Sequence, residues 1–68
     1  MTHTLIINKS TGLVADEYYS VPPLINEHVD KMIDGKMMDC FEFKFESGNS
    51  AFYSNKDYRY EFRSGFSM

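Results

Sequence analysis

His3, His28 and Cys40 are the only strong nitrogen or sulfur ligands in this chain of 68 residues. Each stands alone, without the short ligand spacing that brings metal-binding side chains together on one turn or loop, so no metal site is expected. A nucleophilic Cys–His pair would need assembly in space, because no sequence signature carries it. Cys40 shares the even-numbered row of its segment with Met38, which suits a small packed strand residue better than a nucleophile. Carboxylates for acid–base work are present, but a chain this short leaves little room for a cleft beside a core. The expectation is a protein without catalysis, without a cofactor and without a metal.

Two other stretches carry chemistry of the binding kind. Lys56-Asp57-Tyr58-Arg59-Tyr60-Glu61-Phe62-Arg63 interleaves rings with bases, the composition with which single-stranded nucleic acid is stacked and neutralised. Alternation weighs against that use. If Tyr58, Tyr60 and Phe62 share one side of a strand, Arg59, Glu61 and Arg63 share the other, and a face of mixed sign holds phosphate weakly. The second stretch is acidic. Glu27, Asp30 and Asp34 fall at i, i+3 and i+7 of an expected helix, and Asp16 and Glu17 lie on the strand before it. Tyr18 and Tyr19 follow directly, and adjacent apolar residues on a strand cannot both face one core, so one of them should face outward, as should one of Met37 and Met38.

The elements that must position these residues follow from periodicity and turn chemistry. Met37 to Glu46 ends in strict alternation, Phe41, Phe43 and Phe45 against Glu42, Lys44 and Glu46, which defines a strand with one apolar face. Leu-Ile-Ile within His3 to Asn8 is a second strand. Asn8-Lys9-Ser10-Thr11-Gly12 is a turn with glycine at the left-handed position, and Leu13 to Tyr19 is the returning strand. Pro22 and Pro23 close that strand, since proline donates no ladder hydrogen bond and suits the first turn of a helix. From Pro23 to Asp34 the apolar residues Ile25, Val29, Met32 and Ile33 recur at i, i+4, i+7 and i+8, which predicts one amphipathic helix capped by Gly35. Ser47-Gly48-Asn49-Ser50 is a further turn, Ala51 to Ser54 and Tyr58 to Arg63 are strands, and Ser64 to Met68 is a tail in which Phe66 can dock back.

The expected architecture is therefore a single α+β domain over residues 1–68: a small antiparallel sheet of four to five strands, in the order ββαβββ, with one helix packed on one face. Both aromatic rows are expected beneath that helix.

Charge and composition bound the function. The net charge is −3 at pH 7, with eight acids against four lysines in residues 1–50 and two acids against three bases in residues 51–68. That balance opposes broad attraction to nucleic acid or to anionic lipid. No apolar run reaches the length of a membrane span, nothing at the N-terminus resembles a signal peptide, and the single cysteine cannot form an internal disulfide, so a cytoplasmic protein is expected. The expectation is a small acidic module that binds a protein with a basic surface. Its anchors would be Asp16, Glu17, Tyr18 and Tyr19 with Glu27, Asp30 and Asp34. A phage or mobile-element inhibitor of a bacterial nucleic-acid-handling defence complex, of the anti-CRISPR kind, would use such a surface. The alternatives are a single-stranded nucleic-acid binder built on Tyr58 to Arg63 and a structural homodimer paired along an edge strand.

Overall fold

The computed structural model describes residues 1–64. Six strands follow one another: β1 (Thr2–Asn8), β2 (Val14–Ser20), β3 (Leu24–Ile33), β4 (Lys36–Lys44), β5 (Ser50–Ser54) and β6 (Tyr58–Ser64). They form two three-stranded antiparallel sheets, one in the order β2-β1-β6 and the other β3-β4-β5. The α+β expectation with its ββαβββ order is thereby corrected: the described chain is all-β, and the segment expected as a helix is β3. The tail with Phe66 lies outside the described residues.

The reason for the difference sits in β3 and the turn after it. Ile25, Val29 and Ile33 are four apart, and an even spacing is as compatible with a strand as with a helix. All three are β-branched, which favours the extended form. The deciding residues are Asp34 and Gly35, both at positive φ (51° and 80°), as a two-residue type I′ hairpin turn requires. Asp-Gly therefore joins β3 to β4 instead of capping a helix. The prolines keep their role as strand breakers, but what they permit is a change of sheet: β2 belongs to one sheet and β3 to the other.

With no helix present, the two aromatic rows cover each other. Phe41 and Phe43 of β4 are fully buried with Ile6 of β1, and Tyr18, Ile25, Phe45, Tyr53, Tyr58 and Tyr60 pack around them. Tyr60 lies 5.1 Å from Phe41 and 5.3 Å from Phe43 between ring centroids, and Tyr58 lies 5.7 Å from Tyr53. Edge-on and tilted pairs at these distances contribute about 0.5–1.5 kcal/mol each beyond burial.

β3 carries a bulge: Asn26 pairs with Glu42 and Val29 with Cys40, so two residues, Glu27 and His28, face Phe41 alone. The extra residue shifts the phase of the strand. Ile25 lies opposite Phe43 and Met32 opposite Met37 on the inner side, whereas Val29 and Ile33 lie opposite Cys40 and Lys36 on the outer side. The four residues read as one helical stripe are split between two faces.

β5 pairs with β4 only as far as Cys40↔Ser54. Beyond that row β3 and β4 continue with each other to Ile33↔Lys36, forming a two-stranded arm over residues 30–38. The molecule measures 44 × 29 × 15 Å and its radius of gyration is 12.5 Å, above the roughly 11 Å of a compact domain of this length.

Candidate protein-binding surface

The structure distributes the seven acidic and tyrosine residues singled out in the sequence among three places. Asp16 and Tyr18 fasten one sheet to the other. Tyr53 on β5 donates to Asp16 Oδ2 at 2.7 Å, and the Tyr18 hydroxyl, 3.1 Å from the same oxygen, has the Tyr53 hydroxyl oxygen as a second acceptor for its one proton. Glu27, one of the two bulge residues, accepts from Tyr60 at 3.0 Å and makes a second tie between the sheets. Burial first, and then hydrogen bonds to neighbouring tyrosine and carboxylate groups, pushes Tyr53 above the ordinary tyrosine value of 10.0. Tyr60 is raised by burial and by Glu27, and Tyr18 chiefly by burial. These phenols stay protonated, and their rings close the rim of the core.

Glu17 and Tyr19 occupy the outer face of the β1 sheet. Tyr19 is 62% exposed and stacks on His3 at 4.2 Å and 11°. Glu17 Oε1 lies 3.6 Å from His3 Nε2, close enough for attraction but too long for a hydrogen bond. Of the two adjacent tyrosines, then, Tyr18 faces in and Tyr19 faces out. On the same outer face Glu61 bridges Arg59 at 2.7 Å and Arg63 at 3.5 Å. The hydrogen bond from Arg59 is the main reason the Glu61 carboxyl sits below its ordinary value of 4.5. Tyr58 and Tyr60 turn the other way, onto Tyr53, Phe41 and Phe43, and Phe62, against Phe43 and Tyr60, is 44% exposed.

Asp30 and Asp34 belong to the arm, Asp30 opposite Asp39 and Asp34 at its tip. No helical acidic stripe joins them to Glu27, because alternation along a bulged strand separates what a helix would align. Sequence reasoning misassigned Met32 and named Met37 only as one of a pair, with Met38, of which one should face outward. Met32, expected in a helix core, is 57% exposed, and its cross-strand neighbour Met37 is 62% exposed. Met37 lies in the same odd-numbered row as Phe41 and Phe43, so the pair continues the core face beyond the sandwich. The signal that could have found it was Asp34-Gly35, which makes Met32 and Met37 neighbours.

At the root of the arm His28 Nδ1 lies 3.0 Å from Asp39 Oδ2, Asn55 Nδ2 donates to the same carboxylate at 3.1 Å, and Asn55 Nδ2 also donates to the Glu27 carbonyl at 2.9 Å. The outer side of this sheet holds a buried Glu42, 7% exposed, which accepts from Asn26 Nδ2 at 2.9 Å. Alternation alone puts Glu42 on the polar side with Lys44 and Glu46, and it is buried there all the same. Lys31 Nζ stands 4.5 Å from the Phe52 ring centroid. Its reach from the Met38 row to the Glu42 row carries it across Cys40, which is fully buried and whose thiol is raised above its ordinary value by burial, then by Asp39. His3, His28 and Cys40 sit on β1, β3 and β4, and among the described residues no group of three His, Cys, Asp or Glu side chains could hold a metal ion. No helix of the described residues is long and apolar enough to cross a membrane.

The chain matches no known protein family, no curated protein and no solved structure.

Proposed function

We propose that this chain is a non-enzymatic protein-binding module that works through its β3–β4 arm, and that its partner presents an apolar patch ringed by basic groups, as the working surface of a nucleic-acid-handling protein does. One observation carries the reading. Residues 31–38 pair only with each other, yet on the core side of the strands they carry an exposed Met32–Met37 pair with Asp30, Asp34 and Asp39 around it. A small domain short of buried area gains nothing by itself from leaving that face open. Methionine is an adaptable contact residue, and a rim of carboxylates adds selection for basic partners. Covering such a surface would inhibit a bacterial nucleic-acid-handling machine, a defence complex included, by occupying the site its nucleic acid needs.

The test is capture from a nuclease-treated bacterial lysate with the wild-type chain beside Asp30→Lys/Asp34→Lys and Met32→Ser/Met37→Ser. These side chains lie on the arm, so both double variants should keep stability within about 0.5 kcal/mol. The expected result is a stoichiometric protein bound by the wild type and lost with either variant. A partner retained by both removes the arm from the reading.

A further inference from the structure

The backbone of β4 holds an unfilled strand position beside the methionines. In an antiparallel ladder, backbone groups point to the same neighbour at every second residue. The Phe45 amide donates to the Asn49 carbonyl at 2.9 Å and the Asn55 amide donates to the Asp39 carbonyl at 3.0 Å, so the odd-numbered residues of β4 present their N–H and C=O to the β5 side. At Asn55 the chain leaves that sheet and turns through Lys56 and Asp57 into β6 of the other. Met37 is the next odd position, and its N–H and C=O face the space that β5 would have filled had it continued.

That space is a notch of about 550 Å³ between Lys36, Met37 and Met38 on one side and Asn55 and Lys56 on the other. The one acid on its wall, Asp39, is engaged by His28 and Asn55. Lys36 and Lys56 form no ion pair among the described residues. We infer that the Lys36–Met38 edge accepts a short extended segment of another protein as an added strand, with the Met37 N–H and C=O bonding its backbone and with an acidic side chain meeting Lys36 or Lys56. A second copy of this chain fits poorly. Two-fold pairing of β4 edges centred on Met37 drives the second copy's Gly35 into the place held by Asn55, and pairing centred on Lys36 sets lysine against lysine. The inference rests on the arm being a binding element, but it requires the opposite charge from the arm's inner face, so the two readings fail separately.

The chain is short enough for chemical synthesis, which allows N-methylation of the Met37 amide with the side chain unchanged. The probe is a blocked pentapeptide alternating glutamate and valine, with a lysine–valine counterpart, titrated into labelled protein by amide NMR. Saturable shifts confined to Lys36, Met37, Met38 and Lys56 are expected with the acidic peptide alone. Affinity should fall about tenfold on N-methylation and by a similar factor in Lys56→Glu, a change of roughly 1.4 kcal/mol, while Asp30→Lys/Asp34→Lys should bind at least as well as the wild type. Absence of shifts at millimolar peptide, equal binding of the lysine peptide, or equal binding by the N-methylated chain would each overturn the inference. So would a dimer in sedimentation that N-methylation dissolves, which would assign the edge to a second copy.

Discussion

The two halves of β4 occupy opposite environments. From Cys40 to Phe43 every residue is buried, between β3 and β5 and against the facing sheet, while from Lys36 to Met38 the strand pairs with β3 alone and Met37 is largely exposed. Strict apolar–charged alternation begins only at Phe41, and Met37-Met38 before it breaks that pattern; the halves differ as well in whether a second sheet lies across the inner face. The sandwich draws its stability from cross-sheet aromatic contacts, and the arm has only its ladder and its turn. An arm of that kind opens locally at lower cost than the body unfolds, as binding elements commonly do.

The contrast breaks most severely at Phe43, which touches Phe41, Phe45, Tyr60 and Phe62. Phe43→Ala should cost about 3–5 kcal/mol, against a total stability of about 3–10 kcal/mol for a domain of this length. Thermal melting should then fall below room temperature or lose cooperativity. Met37→Ala, three alternations along the same row, should leave the melt within about 0.5 kcal/mol of wild type. Equal losses at the two positions would mean that the arm packs on the body.

Tyr53→Phe comes next. It removes the hydroxyl that ties β5 to Asp16 and Tyr18 of the other sheet and should cost about 2 kcal/mol near neutral pH, since one bond goes to a carboxylate. Its pH dependence separates this tie from simple packing. Tyr18, Tyr53 and Tyr60 are all raised in the folded state from an ordinary value of 10.0. Above pH 10 the unfolded chain therefore releases protons that the folded one retains, so stability is complete below that pH and is lost as pH climbs beyond it. Melting temperatures followed from about pH 8 to about pH 11 should fall more gently in Tyr53→Phe than in the wild type, because one of the three titrations is gone.

Much of the body was legible in the sequence because its signals are local. Phe41, Phe43 and Phe45 alternate with charges, Tyr58, Tyr60 and Phe62 do the same, and Gly12 takes the positive φ (76°) expected of the first turn. The arm was illegible for two reasons. Ile25, Val29 and Ile33 have a spacing shared by helices and strands, and a bulge at Glu27 and His28 then moves Val29 and Ile33 away from Ile25. Nothing local announces a bulge, whereas Asp34-Gly35 did announce a hairpin. The acidic residues were misgrouped because their partners are remote: Asp16 meets Tyr53 and Glu27 meets Tyr60 across the sandwich, contacts that follow only once the helix is replaced by a second sheet.

Gly35→Ala tests the arm by its turn. Gly35 has φ 80° and an added Cβ would meet open space, so the penalty is conformational alone, about 1 kcal/mol. The loss should be confined: amide exchange should quicken at residues 30–38 while Ile6, Phe41 and Phe43 keep their protection. Quickening across the whole molecule would show that arm and body open together.

The smallest effect is expected on the face opposite the core. Glu61 joins Arg59 and Arg63 over β6, but both arginines are at least half free to solvent, and exposed pairs of this kind contribute little. The Glu61 carboxyl is held below 4.5 chiefly by the hydrogen bond from Arg59. Its contribution is therefore complete above that value and fades as pH falls through the lowered one. Glu61→Gln should shift the melt only slightly at pH 7, with the difference shrinking in acid and in high salt. A larger loss that ignores salt would mean that Glu61 acts by covering Leu5, its register neighbour on β1, and the outer face would then count as a second packed layer.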